Sequence, residues 1–125
     1  MKKISLNLKN KNIIITGGNG FLGKQITDAL KNEKVNVYII DIKKPTNKSR
    51  IKYFQTDITS EKELKKILEF FKSRKIKIDA LINNAAIDYP PTKSKKNNYS
   101  LENFQNNLWD KDISVSLKGS YLCTK

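Results

Sequence analysis

The chain predicts an α/β fold built on a doubly wound parallel sheet, on three observations. Short, β-branched apolar runs alternate with longer stretches of helical periodicity. The first run leads into glycines at the spacing Gly-x-x-Gly-x-x-Gly, through Gly17, Gly20 and Gly23. Polar residues suited to ligand binding follow the ends of successive runs, where an open parallel sheet gathers its ligands.

In order along the chain, strands are expected over residues 12–16, 35–40, 51–55 and 78–82. Helices are expected over 21–34, over 60–74, and from about 108 toward the end. Strands separated by helices of this length need crossover connections, which make parallel, right-handed βαβ units. Stacked units of that kind form the doubly wound sheet. In the second helix Leu64, Ile67, Leu68 and Phe71 recur at helical spacing, an apolar stripe for packing on the sheet. Ser60 followed by Glu63 reads as a capping box at its start. Residues 88–100, with Pro90-Pro91 and several Asn and Lys, read as a long surface loop.

The glycine segment carries the most specific chemistry. Thr16-Gly17-Gly18-Asn19-Gly20-Phe21-Leu22-Gly23 joins a strand to a helix, which is the arrangement that holds a dinucleotide pyrophosphate. Gly17 allows the tight turn, Gly20 lets the backbone approach the phosphates, and Gly23 lets the helix lie close on the strand. The first-turn N–H groups have no acceptor within the helix and so can point at the anion.

The second strand ends at Asp41, close to the ~20 residues past the glycines expected of the group that accepts the adenosine ribose hydroxyls. A carboxylate there favours NAD, because it repels the 2′-phosphate of NADP. Lys43 and Lys44 just beyond it soften that repulsion and keep NADP open. Asp57 and Ile58 follow the third strand, and Asn83-Asn84-Ala85-Ala86 follow the fourth. Asp57 can accept from the adenine amino group and Ile58 can cover the ring. Ala85 and Ala86 leave room for the ribose. The Asn pair reads both as a cofactor contact and as a clamp between strand ends.

Composition narrows the field. At 125 residues the chain is one domain at most. It has no apolar run of the ~20 residues a membrane span needs. The start, Met1-Lys2-Lys3 and mixed polar residues, carries no signal-peptide core. The chain is therefore expected in the cytoplasm. A single cysteine, Cys123, excludes a disulfide framework and a cysteine metal cage. With no histidine, zinc chemistry and any Ser-His or Cys-His mechanism within the chain are excluded, and no metal is expected. The net charge of +13 comes from lysines spread over loops and helix faces, in a chain also rich in Asn and Ile. That spread, without a nucleic-acid-binding motif, argues against a nucleic-acid partner. Lys43-Lys44 and the lysines of 93–96 are expected to be solvated loop residues.

These motifs together resemble the first half of a short-chain dehydrogenase/reductase. Thr16-Gly17-x-x-Gly20-x-x-Gly23 is similar to the family's glycine motif in the spacing of its extended, sugar-nucleotide branch. Leu81-Ile82-Asn83-Asn84-Ala85-Ala86 resembles its Asn-Asn-Ala-Gly motif, with Ala86 in the Gly position, and Asp57-Ile58 matches its adenine-contacting pair. Residues 83–91 with 101–110 resemble bacterial members tied to surface-sugar and flagellin modification. The resemblance implies a Rossmann-type NAD(P)-binding domain over residues 1–125, incomplete at its C-terminal end. It also implies a homo-oligomeric full-length protein, since the last helix packs in the family's dimer interface.

Two departures stand out. The family's catalytic-site Asn, in a Val-Asn-Leu context, is replaced in Val115-Ser116-Leu117 by Ser116, a shorter hydrogen-bonding candidate for the same catalytic position. The family's catalytic Ser and its Tyr-x-x-x-Lys pair are expected beyond Lys125. Of two apparent Tyr-x-x-x-Lys matches, Tyr89 to Lys93 contains two prolines that exclude a helical turn. Tyr121 to Lys125 comes too soon after the Asn-Asn-Ala-Ala segment. The implied activity is hydride transfer between a nicotinamide cofactor and an alcohol or ketone, with a sugar as a candidate carrier of that group. A non-catalytic or truncated dinucleotide-binding module is the alternative. A sugar-nucleotide epimerase or dehydratase is a further one, against which the Asn-Asn-Ala-Ala segment weighs.

Overall fold

The computed structural model describes residues 7–44, 51–87 and 101–125. The loop expected over 88–100, with its lysines and Tyr89, lies outside the described residues. Four strands form one parallel sheet in the order β3-β2-β1-β4: β1 Asn12–Thr16, β2 Asn36–Asp41, β3 Lys52–Gln55 and β4 Ala80–Ile82. Ile14 lies in register with Tyr38 on one side and Leu81 on the other. Helix α1, Phe21–Asn32, links β1 to β2, and α2, Glu61–Ser73, links β3 to β4.

The β-branched run of β1 fills the middle of the sheet because alternate side chains enter two different cores. Ile13 and Ile15 join Val35, Val37 and Ile39 on the α1 face, where Ile26 and Leu30 pack against them. Ile14 turns the other way, toward Ile40, Ile58, Ile67 and Phe71 on the α2 face. Ile15 is fully buried, a burial that stabilises by about 1.5–3 kcal/mol. The α2 face is also aromatic, with Tyr38 and Phe71 edge-on at 4.9 Å and Phe54 and Phe70 edge-on at 5.0 Å.

Both crossover helices stop a little earlier than the periodicity suggests, and for the same reason. Lys34 (φ 58°) and Lys75 (φ 52°) take the left-handed conformation just past the helix end. The N–H of Val35 then returns to Leu30, and that of Ile76 to Phe71, a Schellman closure in each case. At the start of α2 the expected capping box is only half formed. Ser60 Oγ accepts from Glu63 N at 3.4 Å, but the Glu63 carboxylate accepts from Asp57 N at 2.9 Å instead of from Ser60. The N–H of Ser60 is already held by the Asp57 carbonyl, so the glutamate reaches one turn further back. Leu68 departs from the apolar stripe: it is half exposed, while Ile67 and Phe71 are buried.

The last helix is continuous but uneven. It runs through α3, Asn106–Ile113, a π-helical segment Ser114–Gly119, and α4, Ser120–Thr124. Ser120 Oγ donates to the Ser116 carbonyl at 2.7 Å and Thr124 Oγ1 to the Ser120 carbonyl at 2.8 Å. Such hydroxyls compete for the helix's own acceptors and loosen the ladder. Gly119 lets this helix close onto the α2-face core, since a Cβ there would stand 2.6 Å from Ile58 Cδ1. Among the described residues no helix is long and apolar enough to cross a membrane.

Candidate functional site

The glycine turn is built from contacts that leave no room for side chains. Gly17 has φ 66°, and a Cβ on it would stand 2.8 Å from Ala85 Cα. Both the conformation and the approach to Ala85 therefore require glycine. Gly17 N donates to the Ile40 carbonyl at 2.8 Å, and Gly20 N returns to the Gly17 carbonyl at 3.0 Å. Gly18 lies against the Ile39 side chain. A Cβ on Gly23 would collide with the Gly17 carbonyl oxygen and stand 2.8 Å from Gly18 Cα. Gly23 thus packs on the turn itself, where the spacing had suggested the strand. Gly20 caps α1 without a side-chain bond, and no acidic residue lies in the first turn. The first-turn N–H groups of α1 have no acceptor within the helix, and no carboxylate of that turn occupies them. Phe21 and Leu22 stand on its outer side, 88% and 60% exposed.

Thr16 ties this turn to the end of β4. It is 1% exposed. Its Oγ1 accepts the N–H groups of Asn84 and Ala85 at 3.0 Å each, and donates to the Ile82 carbonyl at 3.5 Å. Asn84 completes the tie, because its Nδ2 donates to the carbonyls of Thr16 and Gly17 at 3.1 Å each. Asn84 acts as the clamp between strand ends, and Ala85 faces Gly17 within it. Asn83 points elsewhere, its Nδ2 donating to Thr124 Oγ1 at 3.2 Å, and Ala86 is exposed.

Asp41 closes the other side. The residue is 8% exposed. Its Oδ2 accepts from Asn19 N at 2.8 Å and its Oδ1 from Lys43 N at 2.9 Å. The glycine turn and the end of β2 are therefore joined through the very carboxylate assigned to the ribose. Asn19 Nδ2 donates to the Lys43 carbonyl at 3.0 Å and to the Tyr53 hydroxyl at 3.2 Å. Tyr53 in turn donates to the Asp41 carbonyl at 3.2 Å. Burial, and next the charge of Asp41, push the Tyr53 phenol up to about 12, so it stays protonated and remains a donor.

The remaining candidates are more dispersed. Asp57 Oδ1 accepts from Thr59 N at 2.9 Å and from Thr59 Oγ1 at 2.8 Å, which holds the carboxylate in a local turn past β3. Ile58 is 5% exposed and sits in the α2-face core under Gly119. Ser116 is exposed, and its hydroxyl donates to Asp112 Oδ1 at 3.0 Å on its own helix. Tyr121 lies in α4 and Lys125 caps its end, where the Lys125 ammonium pairs with Glu61 at 3.3 Å. Burial raises the Cys123 thiol to about 11 and leaves it unreactive at neutral pH. No group of acids or cysteines that could hold a metal occurs among the described residues.

Tyr53 is the site residue that motif reading misses. It lies inside β3 and in no motif, but its register opposite Ile39 places it on the glycine-turn face. Strand alternation was the one available signal. A large open groove between α2 and the end of α4 is no competitor for the site. It is lined by apolar side chains such as Leu64, Leu68, Leu81 and Leu122, and none of the glycine-turn residues borders it.

Comparison with known proteins agrees with this geometry. The profile of the short chain dehydrogenase family matches residues 11–125. Sorbitol-6-phosphate 2-dehydrogenase of Klebsiella pneumoniae is 29% identical over 127 residues, covering 96% of this chain and 46% of that protein. NAD-dependent glycerol dehydrogenase of Listeria innocua is 28% identical over 123 residues, covering 93% and 45%. A crystal structure of a short chain dehydrogenase from Leptospira borgpetersenii with bound NAD+ superposes with a TM-score of 0.78. It is 25% identical, over 99% of this chain and 48% of that one. The chain spans about half the length of the curated relatives it matches. With the family profile matched over nearly its whole length, the chain belongs to the short-chain dehydrogenase family.

Proposed function

We propose that this chain is the cofactor-binding half of an NAD-dependent oxidoreductase acting on an alcohol or ketone, with a sugar or polyol as the preferred substrate class. The observation that carries the reading is the bond from Asn19 N to Asp41 Oδ2 at 2.8 Å. It joins the anion-binding turn to a ribose-accepting carboxylate, the two groups that a dinucleotide needs at a fixed separation. The first-turn N–H groups of α1 hold the pyrophosphate, and Asp41 holds the adenosine ribose. NAD is preferred to NADP because the Asp41 charge opposes a 2′-phosphate. When bound, the nicotinamide supplies the hydride acceptor or donor.

The chain's own residues bind and orient. Asp57 is assigned to the adenine amino group, Ile58 to the apolar floor near it, and Ala85 and Ala86 to the ribose passage. Ser116 is assigned the hydrogen-bonding position the family fills with Asn. The substrate class is supported by relatives named as sorbitol-6-phosphate and glycerol dehydrogenases. We place the protein in the cytoplasm, as a homo-oligomer without nucleic-acid or membrane partners. Its second copy covers the exposed apolar line of Trp109, Ile113, Leu117 and Tyr121 on the last helix.

The test is titration of the natural gene product with NADH and NADPH, followed by assay against polyols and sugar alcohols with NAD. Binding of NADH and reduction of NAD by a polyol are expected. A protein that binds neither nucleotide overturns the reading.

A further inference from the structure

Asp41 is oriented by a closed ring of hydrogen bonds that runs through three elements. The glycine turn contributes Asn19, β2 and the residues after it contribute Asp41 and Lys43, and β3 contributes Tyr53. Asn19 N and Lys43 N each hold one carboxylate oxygen, at 2.8 and 2.9 Å. The Asn19 amide links the Lys43 carbonyl to the Tyr53 hydroxyl, at 3.0 and 3.2 Å. The hydroxyl closes the ring on the Asp41 carbonyl at 3.2 Å. Asp41 is the one member whose charged group takes part in the ring, since Lys43 enters through its backbone N–H and carbonyl. A carboxylate has about four acceptor sites. Two are taken by backbone N–H groups, and among the described residues no other donor is seen on the remaining ones, which we assign to the ribose hydroxyls.

The two backbone bonds hold the carboxylate only while the glycine turn and the Lys43 backbone keep their places. The Asn19 side chain ties those two segments together, and Tyr53 ties Asn19 to the sheet. We propose that Tyr53 is a positioning residue that determines cofactor specificity: acting through Asn19, it holds Asp41 where it accepts the ribose hydroxyls and repels a 2′-phosphate. The inference rests on the proposed function and deepens it, because the choice of NAD over NADP then depends on a β3 residue as well as on the carboxylate. A carboxylate fixed in advance gives both effects in full. One free to turn away accepts the hydroxyls less well and lets a 2′-phosphate in at lower cost. Tyr53 is suited to the task because a protonated phenol can donate and accept at once.

The experiment is fluorescence titration of the natural gene product and its Tyr53→Phe variant with NADH and with NADPH. The phenyl ring keeps the packing and removes only the hydroxyl. The wild type is expected to bind NADH more tightly. In the variant the NADH dissociation constant should rise by about fivefold, as for the loss of one or two neutral hydrogen bonds. The NADPH constant should stay level or fall, so that the NADPH-to-NADH ratio of dissociation constants drops by about fivefold or more. Asn19→Ala removes the amide from the same ring and should lower the ratio alike, and the double variant should lower it little further. A general loosening of the fold would weaken both nucleotides together and leave the ratio in place. An unchanged ratio in both single variants overturns the inference, as does a wild type that prefers NADPH. A wild type that binds neither nucleotide overturns the proposed function, and the inference with it.

Discussion

The Thr16 hydroxyl oxygen accepts the backbone N–H groups of both Asn84 and Ala85, each at 3.0 Å. One buried atom at the end of β1 thereby sets where the chain leaves β4, and so brings Ala85 against Gly17. Replacing Thr16 by Val keeps the shape but leaves two N–H groups without their acceptor. A loss of about 2 kcal/mol is expected, the cost of stranding partly buried donors. The urea midpoint should fall with an unchanged slope. Thr16→Ser keeps the oxygen and should cost less.

Gly17→Ala meets two obstacles at once, the left-handed backbone and the approach to Ala85 Cα at 2.8 Å. The combined cost is about 2–4 kcal/mol. Under the proposed function the turn is also the anion site, so the variant should lose NADH affinity more than tenfold, on the order of 1.4 kcal/mol or above. Titration at a temperature where the variant remains folded separates the two effects. Affinity equal to the wild type would show that the turn does not hold the cofactor.

Lys75 occupies a left-handed position that closes α2 without using its side chain. Glycine takes that conformation without a Cβ penalty. Lys75→Gly is therefore expected to stabilise by about 0.5–1 kcal/mol, with a matching rise in the thermal midpoint. A fall would mean that the lysine side chain contributes more than its backbone costs.

Tyr53 makes stability sensitive to alkali. Its phenol is raised in the folded state from the ordinary 10.0 to about 12, first by burial and then by Asp41. The folded state thus binds this proton more tightly than the unfolded chain. The contribution is fully present below pH 10 and is lost as pH rises through about 12. Denaturant midpoints measured across that window should fall more steeply for the wild type than for Tyr53→Phe. Equal slopes would show that the tyrosine titrates normally.

How far the molecule was legible in its residues depends on the range of the interactions. β1 could be bounded without error because a β-branched run between turn signals has one way to sit in a parallel sheet. The glycine turn could be placed, since a strand running into glycines and then a helix is a local pattern. Helix ends were blurred: a lysine in a left-handed turn carries no composition signal, unlike the glycine usually found there. The capping box formed only in half for a similar reason. The N–H of Ser60 went to Asp57, and Glu63 followed the donor that remained. Ile58 and Asp57 are adjacent in the chain yet sit in different surroundings, one in the core and one in a surface turn.

By itself, the order of residues determined the family, the parallel α/β architecture and the two features on which the proposed dinucleotide site rests, Gly17 to Gly23 and Asp41. Those follow from periodicity and local backbone chemistry, which act over a few residues. Only the tertiary structure decided what holds the marks together: Thr16 gripping Asn84 and Ala85, Gly23 lying on the Gly17 carbonyl, and Asn19 and Tyr53 surrounding Asp41. Each is a contact between separate elements, made by short-range forces that exist only once strand register and helix approach have put the partners within bonding distance.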